Sequence, residues 1–252
     1  MTTAPKEQPP YDSAFFRRNV VSNSCLAAEA IVPLLLAEMP IQSAVDIGCG
    51  TGPWAATLSK LGVPDVLGVD GDYVDRNLLE IHKDKFIHKD LDKPFDLGRT
   101  FDLAISVEVA EHLSPARAPG FVGDLTRLAP IVMFSAALPG QGGLDHRNER
   151  WLSYWAGLFL THDYRPLDFL RYQVWNNKKI MFYYRQNITV FCRADLYPTY
   201  SHLDHKSPVD IVHPELLQRK THAVEEPTIG YLLLSLPKAI KRSISFRLSR
   251  PS

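Results

Sequence analysis

Residues 42–54 read QSAVDIGCGTGPW, and this stretch decides the fold. Ser43 to Ile47 is short, apolar and partly β-branched, as a buried strand should be, and helical patterning begins at Pro53. Between them Gly48, Gly50 and Gly52 let the backbone turn sharply and approach a ligand, because no Cβ intervenes. A strand, a glycine turn and a helix in that order form the first unit of an open parallel sheet, whose ligands sit beyond the carboxyl ends of the strands. The turn departs from the nicotinamide fingerprint G-x-G-x-x-G, since its third glycine comes one residue early. With Asp46 just before the first glycine, it suits a ligand that lacks a pyrophosphate.

Outward from this unit, strand-like runs at Val66 to Val69, Lys85 to Lys89, Phe101 to Val107 and Ile131 to Ala136 alternate with longer segments. Two more strands are expected at Leu167 to Trp175 and Asn187 to Arg193, separated by NNKKIMFYYRQ. The expectation is an α/β, Rossmann-like, seven-stranded, mostly parallel sheet with helices on both faces. A helical pattern from Tyr11 to Pro40 precedes it, and an aromatic helix is expected from Arg150 to Leu160. After Asp195 periodicity is lost and an irregular extension is expected.

Composition narrows the class. The chain has 252 residues, 28 basic and 28 acidic, no net charge, and 45% hydrophobic residues. Neither a nucleic-acid footprint nor a disordered chain fits that balance. Cys25, Cys49 and Cys192 are odd in number and far apart, which speaks against a disulfide framework and for a reducing compartment. No cleavable signal is read in the Pro-rich start, and the apolar runs are too short to span a bilayer. A cytoplasmic protein is expected. From Pro237 the chain carries Lys238, Lys241, Arg242, Arg247 and Arg250 with no acid, interleaved with Ile240, Ile244, Phe246 and Leu248. This tail reads first as a solvated basic tail, the alternative being a peripheral contact for an anionic membrane surface or a protein partner.

Acidic residues recur where the strands end. Asp70 closes the second strand, where a carboxylate can accept hydrogen bonds from both ribose hydroxyls of an adenosine. Asp90-Leu91 follows the third, offering a carboxylate to an adenine amino group and an apolar side chain to its ring. Singly, each reads more readily as a solvated strand-end acid or a helix cap; their register with successive strand ends is what points to a ligand.

With VDIGCGTG at residues 45–52, VDGDYV at 69–74 and FDLAISVEVAEHL at 101–113, the chain resembles the class I S-adenosylmethionine-dependent methyltransferases. The resemblance spans about Tyr11 to Arg193. It extends to a narrower bacterial group sharing FSAALPGQGG, a His-x-Asn, a YW helix and YYRQN, whose members resemble tailoring enzymes of glycan and secondary metabolism. It implies S-adenosyl-L-methionine as cofactor. Asp46 would then serve the amino-acid end, and Gly48, Cys49, Gly50 and Gly52 the methionine and ribose. Asp70 would hold the ribose, and Asp90 with Leu91 the adenine, while Ser106, Val107 and Glu108 border the sulfonium. The domains implied are 1–40, an arm and cap helix; 41–195, the cofactor-binding core; and 196–252, the extension with its basic tail.

For the chemistry, His146 is the candidate base, with Asp145 and Asn148 beside it, since histidine titrates near neutrality and a neighbour can set its tautomer. The alternative is a histidine that ties down the loop of Gly140, Gly142 and Gly143. Glu111 and His112 read either as a helix-start acid and a packed imidazole or as site contacts. Trp151, Tyr154 and Trp155 share one helical face and serve either the core or a stacked acceptor. Tyr11, His112, Trp151, Tyr154, Trp155, Tyr184 and Arg185 are the candidate acceptor contacts. His202, Asp204, His205 and His213 lack a second spaced ligand cluster, so they read as a solvated loop and no metal is expected.

The reading favoured is methyl transfer to a hydroxyl of a small molecule such as a sugar, glycan or natural-product scaffold. N- or C-methylation and a non-catalytic cofactor-binding module remain the alternatives. Specific nucleic-acid binding is not expected, because Ser106-Val107-Glu108-Val109 stands where a base-handling motif would follow the fourth strand.

Overall fold

The first, fourth and fifth strands are as short and apolar as the sequence suggests. A computed structural model describes residues 23–206, 209–225, 235–237 and 240. Tyr11 and most of the basic tail, including Lys238, Lys241, Arg242, Arg247 and Arg250, lie outside the described residues.

Helix α1 (Cys25–Glu38) leads into β1 (Ser43–Ile47), α2 (Pro53–Lys60), β2 (Asp65–Asp70), β3 (Phe86–His88) and β4 (Leu103–Val107). Then come α3 (Ala118–Leu128), β5 (Ile131–Ser135), α4 (Leu152–Leu160), β6 (Tyr164–Leu167), α5 (Leu170–Val174), α6 (Phe182–Asn187), β7 (Thr189–Arg193) and α7 (Tyr197–Tyr200). The seven strands form one sheet in the order β3-β2-β1-β4-β5-β7-β6. β1 pairs parallel with β2 and with β4, β2 with β3 and β4 with β5, whereas β7 runs antiparallel to β5 and β6. β1 and β4 lie side by side although β2 and β3 separate them in the chain. That reversal of strand order opens the crevice in which α/β sheets bind ligands.

The central strands β1, β4 and β5 are buried on both faces, so they read as largely apolar runs. Side chains still alternate. Ile131 and Met133 of β5 face one cluster with α1, α2 and α5, built on Ile31, Leu35, Leu58 and Leu170. Val132 and Phe134 face the other, with Phe121 of α3 and Trp155 and Phe159 of α4. The rings of Phe159 and Phe191 stack at 3.9 Å.

Four details differ from the sequence reading. Between β2 and β3 only a turn of 3₁₀ helix, Lys83–Lys85, takes the place of a full helix. The sixth strand ends at Leu167, and Leu170–Val174, expected as strand, is helix. There Asp168 accepts a hydrogen bond from Arg171 Nε at 2.7 Å, a buried pair that closes a helical turn. A short apolar run alone cannot distinguish strand from buried helix. The segment NNKKIMFYYRQ contributes α6, and past Asp195 the chain forms α7 and a 3₁₀ turn, Ser201–Leu203. From Val212 the described residues belong to a second compact unit, which holds α8 (Pro214–Glu225).

Among the described residues no helix is long and apolar enough to cross a membrane. Cys25, Cys49 and Cys192 are unpaired thiols.

Candidate functional site

A cleft of about 970 Å³ opens at the carboxyl ends of β1, β2 and β4, within the usual size of a small-molecule site. Its floor is the glycine turn. Gly48 has φ +80°, and a Cβ there would meet Val109 Cγ2 at 2.4 Å, so only glycine lets the turn pack against the chain after β4.

Asp70 organises this turn from the end of β2. Its Oδ2 accepts from Gly50 N at 2.6 Å, and its Oδ1 accepts from Gly71 N at 2.7 Å and from the Tyr73 hydroxyl. Burial raises its pKa, and these hydrogen bonds work against the rise. Asp46 lies under the turn, outside the cleft wall, with Oδ2 lacking a partner among the described residues. Burial, then the charge of Asp70, pushes its pKa up to about 8.

Asp90 and Leu91 reach the wall after β3. Asp90 pairs with Lys93 at 2.9 Å, and that hydrogen bond lowers its pKa. Arg117 fastens this segment from below: Nε donates to Leu91 O at 2.9 Å, and Nη2 donates to Lys93 O at 3.0 Å and to Asp124.

Glu108, just past β4, stands at φ +56°. That conformation is rare outside glycine and costs about 1–2 kcal/mol. The side chain holds it there. Oε1 accepts from Ser135 Oγ at 2.8 Å and Asn187 Nδ2 at 3.0 Å, and Oε2 from Gln141 Nε2 at 2.9 Å. Burial raises the pKa of Glu108 against those three bonds.

The opposite wall comes from the loop after β5. Arg147 N and Asn148 N donate to Glu111 O at 2.8 and 2.9 Å, which ties this loop to the chain after β4. His146 Nδ1 lies 2.9 Å from Glu149 Oε1, and Gly140 N and Gly142 N also donate to that carboxylate, at 2.7 and 2.8 Å. Burial works to raise the pKa of Glu149, but the His146 and glycine bonds outweigh it and hold it low. An ionised Glu149 can only accept, so Nδ1 of His146 carries a proton, and in the neutral imidazole the lone pair is then on Nε2. His112 Nδ1 is 3.3 Å from Asp145 O, a carbonyl, which sets the same tautomer. The two rings meet edge to face at 4.8 Å. Burial, then His146, lowers the pKa of His112 to about 4. Glu111 is fully buried beside them, and burial, then the Glu108 charge, holds its pKa well above the carboxylate range.

Of the cofactor residues expected from sequence, Gly48, Cys49, Gly50, Asp70, Asp90, Leu91, Val107 and Glu108 line the cleft, and Asp46, Gly52 and Ser106 do not. His146, His112 and Tyr184 also line it. Trp151, Tyr154, Trp155 and Arg185 do not. Trp155 is 1% exposed and packs on Phe134 at 5.3 Å, because the apolar face of α4 is needed to cover the sheet. Trp151 precedes α4 and is exposed, and Arg185 is buried with Nη1 donating to Trp175 O. Residues not singled out from sequence include Tyr73, which bonds Asp70, and Gln141, which bonds Glu108. Both stand inside motifs quoted for other residues.

Residues 22–190 match the family description of a methyltransferase domain. No protein of curated function is detectably similar in sequence. Among solved structures, a sugar N-methyltransferase from Streptoalloteichus sp. ATCC 53650 is similar, with a TM-score of 0.58 at 17% identity, over 77% of this chain and 97% of that one. The magnesium protoporphyrin IX methyltransferase from Synechocystis PCC 6803, solved with bound S-adenosylmethionine, gives a TM-score of 0.52 at 17% identity, over 73% of this chain and 86% of that one.

The cleft suits such a cofactor by its own chemistry. The Gly48 turn forms a floor that any side chain would disrupt, and acceptor carboxylates at successive strand ends share one wall with the apolar Leu91.

Proposed function

Since the chain belongs to the methyltransferase-domain family, with S-adenosyl-L-methionine as its cofactor, we propose that it methylates a hydroxyl group of a small molecule such as a sugar or natural-product scaffold. One observation carries this reading: the His146 Nδ1 to Glu149 bond leaves a lone pair on Nε2 of a histidine in the cleft wall. An alcohol is scarcely ionised near neutrality and gains from a base, whereas an amine needs only to arrive unprotonated.

When bound, S-adenosyl-L-methionine supplies a methyl carbon on a sulfonium, and the carbon–sulfur electron pair leaves with sulfur as the carbon–oxygen bond forms. The hydroxyl proton passes to Nε2 of His146, and Glu149 stabilises the imidazolium through Nδ1. Asp70 and Asp90 are the proposed acceptors for ribose and adenine, and Leu91 the proposed cover for the ring. The Gly48 turn and the Glu108 segment would hold the cofactor's reacting end, and positioning is the larger part of catalysis in such a displacement.

The test is a panel of hydroxyl and amine acceptors with methyl-labelled cofactor, run on wild type and His146→Ala. The expected result is label on oxygen, with turnover in the variant down about 10²–10⁴-fold and cofactor affinity by calorimetry unchanged. Equal turnover removes His146 from the mechanism, and label found only on amines overturns the hydroxyl reading.

A further inference from the structure

Among the described residues, Glu111 is a completely buried acid with both side-chain oxygens lacking a hydrogen-bond partner. The backbone N–H groups of Glu111 and Ala137 lie nearby without bonding geometry. No salt bridge reaches it among the described residues, and Arg147, whose backbone N–H bonds the Glu111 carbonyl, turns its guanidinium to Asp92 at 3.2 Å and Asp145 at 3.8 Å. A buried carboxylate in that position is costly unless something positive or a proton meets it.

Two imidazoles stand beside it. One ligand atom each from Glu111, His112 and His146 lie within 4.8 Å of one another. Ligands about 2.1 Å from one ion are at most about 4.2 Å apart, so sharing an ion requires these atoms to draw in from their 4.8 Å spread. Both rings already have the outer partners that metal-binding histidines use: a carboxylate on Nδ1 of His146 and a backbone carbonyl on Nδ1 of His112. These bonds set the tautomer that presents Nε2 as a donor. Gly143 makes the room, since a Cβ there would meet His146 Nε2 at 2.1 Å.

We propose that Glu111, His112 and His146 bind a divalent first-row transition cation at the acceptor end of the cleft. Two imidazoles with one carboxylate favour such an ion over calcium or magnesium, which take oxygen ligands. Three protein ligands leave coordination positions for a further oxygen. The sequence reading weighs only the run from His202 to His213 and expects no metal; this set is gathered by the fold from the β4 end and the loop after β5.

The role of the ion rests on the hydroxyl-methylation reading. Bound there, the cation makes an acceptor hydroxyl more acidic, so that its proton passes to water. In the ion-loaded protein His146 is a ligand and the cation takes over activation of the hydroxyl; the base role of its Nε2 belongs to the ion-free protein.

Titration of the purified full chain with Co²⁺, followed by visible absorption, and with Mn²⁺, followed by electron paramagnetic resonance, tests the site without any turnover. One ion per chain is expected. Glu111→Gln, His112→Ala and His146→Ala are each expected to weaken binding at least tenfold, while His202→Ala and His205→Ala bind as wild type. Glu111→Gln guards against misfolding as the cause, since removing a buried unpaired carboxylate should leave the apoprotein melting temperature unchanged or higher. Sub-stoichiometric binding, or full binding in Glu111→Gln and His146→Ala, overturns the site. Chelator-resistant turnover overturns its role. Titration can succeed while every hydroxyl acceptor fails, and methylation of hydroxyls can stand while titration fails, so the two proposals fall separately.

Discussion

At the scale of single residues, the cleft is built on groups whose charge is costly where they sit. Asp46 shows this most simply. Burial and the neighbouring Asp70 raise its pKa to about 8, so the folded chain keeps a proton that the unfolded chain releases near the ordinary value of about 4. Between those values the native state binds more protons, and stability must fall as pH rises. Thermal melting from pH 5 to pH 8.5 should show that fall in the wild type and a smaller one in Asp46→Asn, which keeps the shape and removes the titration. Equal slopes would falsify this account of Asp46. Residue identity was legible here to a limited depth. An acid two places before a glycine turn was readable, but its position under the turn instead of in the cleft depends on the pleat of β1, where Asp46 sits opposite Gly68 of β2. Likewise the aromatic face of α4 was readable as a stripe, and packing decided that Trp155 fills the core.

At the scale of elements, what carries the site is the set of short segments that leave the strand ends. Each is fastened by buried polar groups of distant origin. Arg117, ahead of α3, holds the Asp90–Lys93 segment through the Leu91 and Lys93 carbonyls while pairing with Asp124, both side chains being almost wholly buried. Breaking such a pair from one side costs about 3–5 kcal/mol, since the partner charge stays buried. Arg117→Ala should therefore lower unfolding free energy in urea, by less than that amount because Arg127 and Phe95 N still reach Asp124, and should weaken cofactor binding in calorimetry by loosening Leu91. A variant as stable as wild type would show that the pair is dispensable. None of this was visible in the linear pattern. Strand positions came through because a parallel strand covered on both faces is an uninterrupted apolar run; the Leu170–Val174 helix did not, because its run is too short to show a period.

At the scale of the whole molecule, the sheet order places the β1 and β4 ends together and the β5 loop beside them, so one cleft holds both the proposed cofactor wall and the proposed acceptor corner. A ligand that binds only the folded state must stabilise it. S-adenosylhomocysteine at a hundred times its dissociation constant adds about 2.7 kcal/mol, or roughly 5–10 °C in melting temperature for a chain of this size. Differential scanning fluorimetry should register that shift, and its absence would exclude the cleft as the cofactor site. The amino-acid order by itself determined the strand–turn–helix at residues 43–60 and the strand-end positions of Asp70 and Asp90. These are contiguous features, set by local backbone freedom and hydrophobic period. Only tertiary structure decided that Glu111 and His112 meet His146, because that meeting depends on Arg147 and Asn148 donating to the Glu111 carbonyl across the gap between two strand ends. No local rule of spacing encodes a contact made by a loop folding back on a segment that left a different strand.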